Sequence, residues 1–221
     1  MHRIIRKIDD FLKLPFLDKL DLIKAKLAKA KTHLFYRFFF RDIGAGSVIR
    51  SPLLLRNSRY VTLGKRVFIR DGIRIEGVSN WNGENYFPEL IIEDNVSIEQ
   101  NCHITFANKM IIGANTTISF GVMITDIDHE YREIGVHILK QPLITRTTII
   151  GENCFIGSGA KIQAGTILGK HCVIGANAVV RGEFPDYCVI VGAPAKIVKR
   201  YNVKSCKWVK TNSKGEFLDE I

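Results

Sequence analysis

Eighteen aliphatic residues recur along this chain at six-residue intervals, and a beat of six excludes most folds. The first residues of successive hexads are Ile43, Ile49 and Leu55, then Leu63, Ile69 and Ile75, then Ile92, Ile98 and Ile104. Ile112, Ile118 and Ile124 follow, then Ile150, Ile156 and Ile162, then Leu168, Ile174 and Val180. A helix needs a period near 3.6 and an amphipathic strand a period of 2. Six residues fit a short strand plus a tight corner, so that three hexads close one triangular coil whose aliphatic residues point inward. The second position is often Gly (Gly44, Gly64, Gly113, Gly151, Gly157), which we expect to permit the corner. The fifth is often small or apolar (Ser47, Val67, Val96, Thr116, Ala160), which suits the remaining interior space. The expected architecture is an all-β prism, a parallel β-helix of about six three-hexad coils.

Irregularities in the beat mark where loops leave the prism. Adjacent coils normally start 18 residues apart, but the steps from 43 to 63 and from 92 to 112 are 20, which adds two residues at a corner. Larger inserts are expected near 78–89 and 130–147. Loops on the rim of a solenoid are where function concentrates. The first insert offers Trp81, Tyr86 and Phe87 for stacking on a ring or for packing within the loop.

Charge divides the chain into three parts: a basic amphipathic helical segment over 1–41, the β-helix over 42–195, and a tail over 196–221. The net charge is +10, yet residues 1–41 hold eleven Lys/Arg against four Asp/Glu and residues 196–221 hold seven against three, which leaves the β-helix near neutral. No nucleic-acid reader motif accompanies these basic ends, so no nucleic acid is expected as partner. Residues 17–40 read as a helix with Leu20, Ile23, Leu27, Ala30, Leu34 and Phe38 on one side, and Pro15 separates it from a shorter helix near 3–14. That stripe either packs on the open end of the prism or a neighbouring subunit, or meets an anionic membrane as a peripheral contact. Asp9 and Asp10 interrupt any signal-peptide core, and Arg37 splits the Phe-rich run at 35–40. Cys102, Cys154 and Cys172 fall on fifth positions as core filler, and the five cysteines form no paired framework. A cytoplasmic protein, peripheral at most, is the expectation. The tail, with Trp208 and Phe217 around Lys214-Gly215, reads as a short hairpin over the last coil.

Four stretches carry a family resemblance: ITDIDHEY at 124–131, QP at 141–142, IIGENCFIGSGAKIQAGTILGKHCVIGANAVV at 149–180, and VGAPAKIVKRYN at 191–202. Over about 33–202 the chain resembles the hexapeptide-repeat acetyltransferases, above all the bacterial O-acetyltransferases of lipopolysaccharide and capsule synthesis, which are relatives of the maltose and galactoside acetyltransferases. The resemblance implies a left-handed prism, a homotrimer with active sites between subunits, acetyl-CoA as cosubstrate, a sugar or glycan hydroxyl as acceptor, and no required metal. It places the catalytic base at His129, whose ordinary pKa near 6.5 suits proton abstraction at neutral pH. The other histidines carry no such role: His2 and His33 lie in the basic flank, His103 and His171 fall on outward positions, and His137 is in the loop.

The same resemblance implies an oxyanion donor in the backbone N–H of Ser158, pantetheine contacts at Ser158 and Ala176, and phosphate contacts at Lys196 and Lys199, with Arg181 assisting. Departures fall on the acceptor side, where Phe155 replaces the usual Trp and Glu99 replaces the Asn of maltose-type enzymes. Trp81 is a further acceptor candidate, and Asp126 and Asp128 are candidates for orienting the imidazole. Two other readings compete. An N-acetyltransferase of a nucleotide-linked amino sugar usually carries a nucleotide-binding domain ahead of the prism, where this chain has a basic helical segment. A metal-dependent or non-catalytic β-helix remains, although zinc chemistry of the γ-carbonic anhydrase kind needs a His five residues after His129, where this chain has Ile134.

Overall fold

The computed structural model describes residues 10–218. Strands Asp42–Ile43, Val48–Ile49 and Leu54–Arg56 belong to three different sheets, and the next three, Val61–Leu63, Phe68–Ile69 and Arg74–Gly77, pair parallel with them in the same order. Apart from the two inserts, the chain goes on visiting the three sheets, here faces 1, 2 and 3, in strict rotation as far as the strand Cys188–Gly192 on face 2. Register follows the hexads. Ile69 lies beside Ile49 and Ile98, Ile118 beside Ile98 and Ile156, and Ile156 beside Ile174. Sixteen of the eighteen first-position residues are buried, and Ile43 and Leu55, in the first turn of the solenoid, are partly covered. Fifth-position Ser47, Val67, Val96, Thr116 and Ala160 are buried too. Cys102, Cys154 and Cys172 are buried filler, and burial pushes the Cys102 thiol up to about 11.

The corners turn differently from the expectation. The second-position glycines do not adopt positive φ; the residue at the fourth position does, and it is usually Asn or Gly: Asn95, Asn115, Asn153, Asn177, Gly121 and Gly159 have φ between 56° and 71°. Asn is the side chain that best tolerates this left-handed region. The second-position glycine answers a separate constraint, the approach of one turn to the next. A Cβ on Gly151 would sit 2.6 Å from the carbonyl carbon of Gly169, and one on Gly157 would sit 2.7 Å from the amide of Ala176. The two extra residues per long coil lie where face 3 returns to face 1, as the short 3-10 helix Ser58–Tyr60 and as the turn through Ala107 and Asn108.

Both ends of the prism are covered, each by a different device. The N-terminal helix α1 (Phe16–Leu34) lies against the first strand of face 2, where the buried Thr32 hydroxyl accepts from the Ile49 amide at 2.9 Å and Asp21 pairs with Arg50 at 2.6 Å. The helix ends six residues earlier than expected. Tyr36–Phe38 forms a 3-10 turn, and Tyr36 and Phe40 fold inward to join the core. The apolar stripe of α1 does not pack on the prism: Asp21, Ala28 and Thr32 face it, and Leu27 and Leu34 are 64% and 75% exposed. The shorter helix expected near 3–14 falls mostly outside the described residues, of which 10–13 are helical. At the other end Cys188–Gly192 turns back through Ala193 and Pro194 into the long antiparallel strand Ala195–Asn202, and Lys207–Lys210 follows as a second hairpin. A bridge between Thr211 and Phe217 closes the Lys214-Gly215 turn.

If glycine at the second position answers close approach, a single methyl there is costly. Gly151→Ala should lower stability by about 1–3 kcal/mol in thermal unfolding. Its exposed neighbour variant Glu152→Ala should stay within about 0.5 kcal/mol of the parent.

Candidate active site

The 130–147 insert begins where face 3 ends its strand Met123–Thr125. The chain leaves the prism as Ile127–His129 and pairs antiparallel with Leu143–Thr145, the returning limb, so that His129 lies opposite Leu143. Two polar side chains fix this departure. Asp126 is fully buried and accepts the amides of Ala107 and Asn108 at 2.8 and 2.9 Å. Burial pushes its carboxyl up to about 6, against the pull of those amides. Gln141, almost fully buried, closes the loop by donating to Glu133 and Val136 carbonyls at 3.1 and 3.0 Å and accepting from the Glu133 amide.

The 78–89 insert docks on this loop from two prism turns away. It is a small hairpin of Asn80–Trp81 against Glu84–Asn85. Trp81 donates from its indole N–H to the Gln141 carbonyl at 3.1 Å, Asn82 donates to the Leu139 carbonyl at 2.6 Å, and the Tyr86 hydroxyl accepts from the Leu143 amide at 2.8 Å. The result is an edge-on contact between the Trp81 and His129 rings, with centroids 5.6 Å apart at 63°. Phe87 instead points out, 85% exposed.

His129 stands between two cavities. The first, about 380 Å³, is bounded by Trp81, Leu139 and Leu143 and floored by outward face-3 side chains Arg74, Glu76, His103 and Thr105. These four stack across paired strands, His103 beside Arg74 and Thr105 beside Glu76. Glu76 pairs with Arg74 and with Arg56, the latter at 3.1 Å, and His103 Nε2 lies 2.6 Å from the Thr105 hydroxyl. Burial, aided by nearby Arg74, lowers the His103 pKa and favours a neutral ring. The second cavity, about 510 Å³, holds Asp128, Tyr131, Arg132, Arg146 and Arg181. An apolar wall with a few convergent polar groups suits a small organic ligand; the arginine-lined side suits an anion.

Neither aspartate orients the imidazole. Asp126 holds the backbone turn, and Asp128 is paired with Arg181 at 2.5 Å and Arg146 at 3.3 Å. Arg181 therefore bridges Asp128 and Gln163 beside His129. Ser158 and Ala176 occupy successive turns of the corner between faces 2 and 3, in the close approach that Gly157 allows. Among the hydrogen bonds of the described residues, the Ser158 carbonyl accepts from Asn177 while the amides of Ser158 and Ala176 donate to none. Lys196 and Lys199 are exposed on the strand after the cis Ala193-Pro194 bond. Glu99 and Phe155 lie on face 2, away from both cavities; Glu99 pairs with Arg70 at 2.8 Å, and Phe155 is half exposed between Thr117 and Val173. Sequence reading sets His103 aside as merely outward and gives no role to Arg74, Glu76 and Thr105. The signal is nevertheless in the hexads, since outward residues flanking Ile75 and Ile104 must stack on the face below His129.

The profile of the bacterial transferase hexapeptide family (six repeats) matches residues 147–182. WbbJ of Escherichia coli (strain K12), named as a putative lipopolysaccharide biosynthesis O-acetyl transferase, is 31% identical over 184 residues, spanning 80% of this chain and 89% of its own. The galactoside O-acetyltransferase of the same organism is 25% identical over 188 residues, spanning 85% of each. Among solved structures, AntD of Bacillus cereus, an N-acyltransferase in complex with dTDP and 3-hydroxybutyryl-CoA, superposes with a TM-score of 0.61 at 16% identity over 79% of this chain and 90% of its own. The chain belongs to the hexapeptide-repeat acetyltransferase family and is an acetyltransferase.

The buried carboxyl at the base of the loop yields a pH test. Asp126 has a folded pKa of about 6 against an ordinary value of 3.8, so its protonated form is the one the fold favours. Its contribution is fully present below pH 3.8 and is lost as pH rises through about 6. Between pH 4 and 7 the wild type should therefore lose about 2–3 kcal/mol relative to Asp126→Asn, measured by denaturant unfolding across that range.

Proposed function

We propose that the protein transfers an acetyl group from acetyl-CoA to a hydroxyl of a sugar in surface-glycan synthesis, with His129 as general base. The observation that carries this reading is the position of His129 between a ring-sized cavity walled by Trp81 and an arginine-lined cavity. In the proposed step His129 takes the proton of the acceptor hydroxyl as its oxygen attacks the thioester carbonyl. The tetrahedral oxyanion then collapses, the carbon–sulfur bond breaks, and the imidazolium returns its proton to the departing thiolate. Positioned base catalysis of this kind contributes about 10²–10⁴-fold. The unengaged Ser158 amide is the proposed donor to the oxyanion, an interaction of about 3–4 kcal/mol in comparable sites. The Ala176 amide one turn on would take a polar group of the pantetheine arm, and Lys196 and Lys199 would meet the phosphates.

The acceptor belongs in the Trp81 cavity. A sugar ring there would present hydroxyls to Glu76, His103 and Thr105 and a face to the indole. Arg181, in the arginine-lined cavity beside His129, would assist Lys196 and Lys199 at the donor phosphates. Glu99 and Phe155 sit on another face of the chain and would reach an active site only from a neighbouring copy, which fits the trimer that the family resemblance implies. The same reading includes a left-handed prism of six coils over 42–195, flanked by a basic segment and a C-terminal tail, acting on the cytoplasmic side.

Calorimetry with acetyl-CoA tests the donor half without an acceptor in hand. Micromolar binding is expected, weakened about tenfold or more in Lys196→Ala/Lys199→Ala; no binding at millimolar donor would sink the reading. His129→Ala should keep that donor affinity while kcat falls about 10²–10⁴-fold. Trp81→Ala should instead raise the acceptor KM about tenfold or more with donor affinity unchanged, as loss of an aromatic platform predicts.

A further inference from the structure

The prism leaves one large apolar surface unexplained, and it is on α1. Among the described residues, ten of the exposed large hydrophobics lie between positions 12 and 39, including Leu27 at 64%, Leu34 at 75% and Phe38 at 77%. At about 3.6 residues per turn, Leu20, Ile23, Leu27, Ala30 and Leu34 form one stripe. Thr32 meets the prism from another side of the helix, and of the stripe only Leu27 borders the groove over Arg50, Ser51 and Asp71, where it stays 64% exposed. Lysines border the stripe on both sides, Lys19 and Lys26 along one margin and Lys24 and Lys31 along the other.

From this pattern we propose that α1 lies flat on an anionic lipid surface, with its leucines in the acyl boundary and its lysines among the headgroups. An apolar stripe edged by lysines is the signature of an interfacial helix, and no described helix is long and apolar enough to cross a membrane. Charge disfavours a two-fold pairing of stripes. Such a contact would set lysine margins against lysine margins, and of the two acids on the helix Asp21 is already held by Arg50. The phosphates of anionic lipid supply the missing negative charge along both margins. His129 follows the Ile124 strand, three strands along face 3 from Leu55, or roughly 14 Å from the first turn.

The proposal is independent of the acyl-transfer reading and is tested by flotation of the full-length protein. Vesicles of phosphatidylcholine alone are compared with vesicles carrying about 30 mol% phosphatidylglycerol. The wild type should float with the anionic vesicles and partition at least about tenfold less onto the neutral ones. Leu27→Asp/Leu34→Asp and Lys24→Glu/Lys26→Glu should each lose about tenfold or more of that binding, with melting temperature and light-scattering mass unchanged. Equal partition onto neutral vesicles, or no flotation of the wild type, overturns the proposal. So does a fall in mass for Leu27→Asp/Leu34→Asp, which would make the stripe a contact between subunits.

Discussion

Everything in this protein depends on stacking identical turns in register. Each strand of the prism contributes only two to five residues, too few to be stable singly, and gains its hydrogen bonds and its apolar cover from the turns beside it. Parallel pairing keeps like beside like, so Ile118 meets Ile98 and Ile156 and the interior becomes continuous columns of aliphatic carbon. Such columns form only if the backbone corners also stack without gaps. That demands glycine at Gly113, Gly151 and Gly157, where a Cβ would fall within 3 Å of the next turn's backbone. The same logic explains why polar atoms in the interior are few and each engaged: Ser47 and Thr116 hydroxyls donate to the Gly64 and Gly151 carbonyls of the adjacent turn.

A body this regular offers no cleft, because its faces are flat and its interior is full. Function has to be added to the rim. Two interruptions supply it. They leave the prism two turns apart yet fold against one another, through Trp81, Asn82 and Tyr86 on one side and Leu139, Gln141 and Leu143 on the other. Each insert alone would be a loop with unsatisfied backbone. Together they make a wall over face 3 that holds the His129 ring against the Trp81 edge. The rigid prism below fixes the polar floor of Arg74, Glu76, His103 and Thr105, so the floor sits on strands while His129 sits on a tied loop.

The hexads make the sheets, the register and the inward residues legible, because burial at a fixed period is written directly in side-chain type. What stays hidden is conformational or long-range. The left-handed corner residue escapes notice because Asn at the fourth position reads as an ordinary surface residue until φ is known. The helix end at Leu34 is masked because a run of Phe continues the apolar pattern, whereas in three dimensions Tyr36 and Phe40 turn to plug the first coil. The candidate site is legible at His129, from its motif. The meeting of Trp81 with His129 rests on hydrogen bonds between positions about 60 apart in sequence, a pairing no local pattern encodes. Asp126 and Asp128 show the converse limit: both are plausible partners of the imidazole by proximity in sequence, and strand alternation turns one into the core and the other toward Arg146 and Arg181.

The two ends of the prism need covers for the same reason, since an open turn presents unpaired strand edges, but they are covered by unlike means. The C-terminal end folds back as antiparallel strands that extend face 2 and carry Lys196 and Lys199 outward. The N-terminal end uses a helix, and a helix can satisfy the edge with one face while keeping the other free. Thr32 does the first task through the Ile49 amide. A contact made by small and polar residues such as Ala28 and Thr32 requires no leucine, so capping alone does not account for the exposed Leu27 and Leu34. An apolar stripe held in solvent is unfavourable by the transfer of each side chain, and the proposed lipid surface, apolar within and anionic at its boundary, would cover the stripe and pair the lysines along its margins.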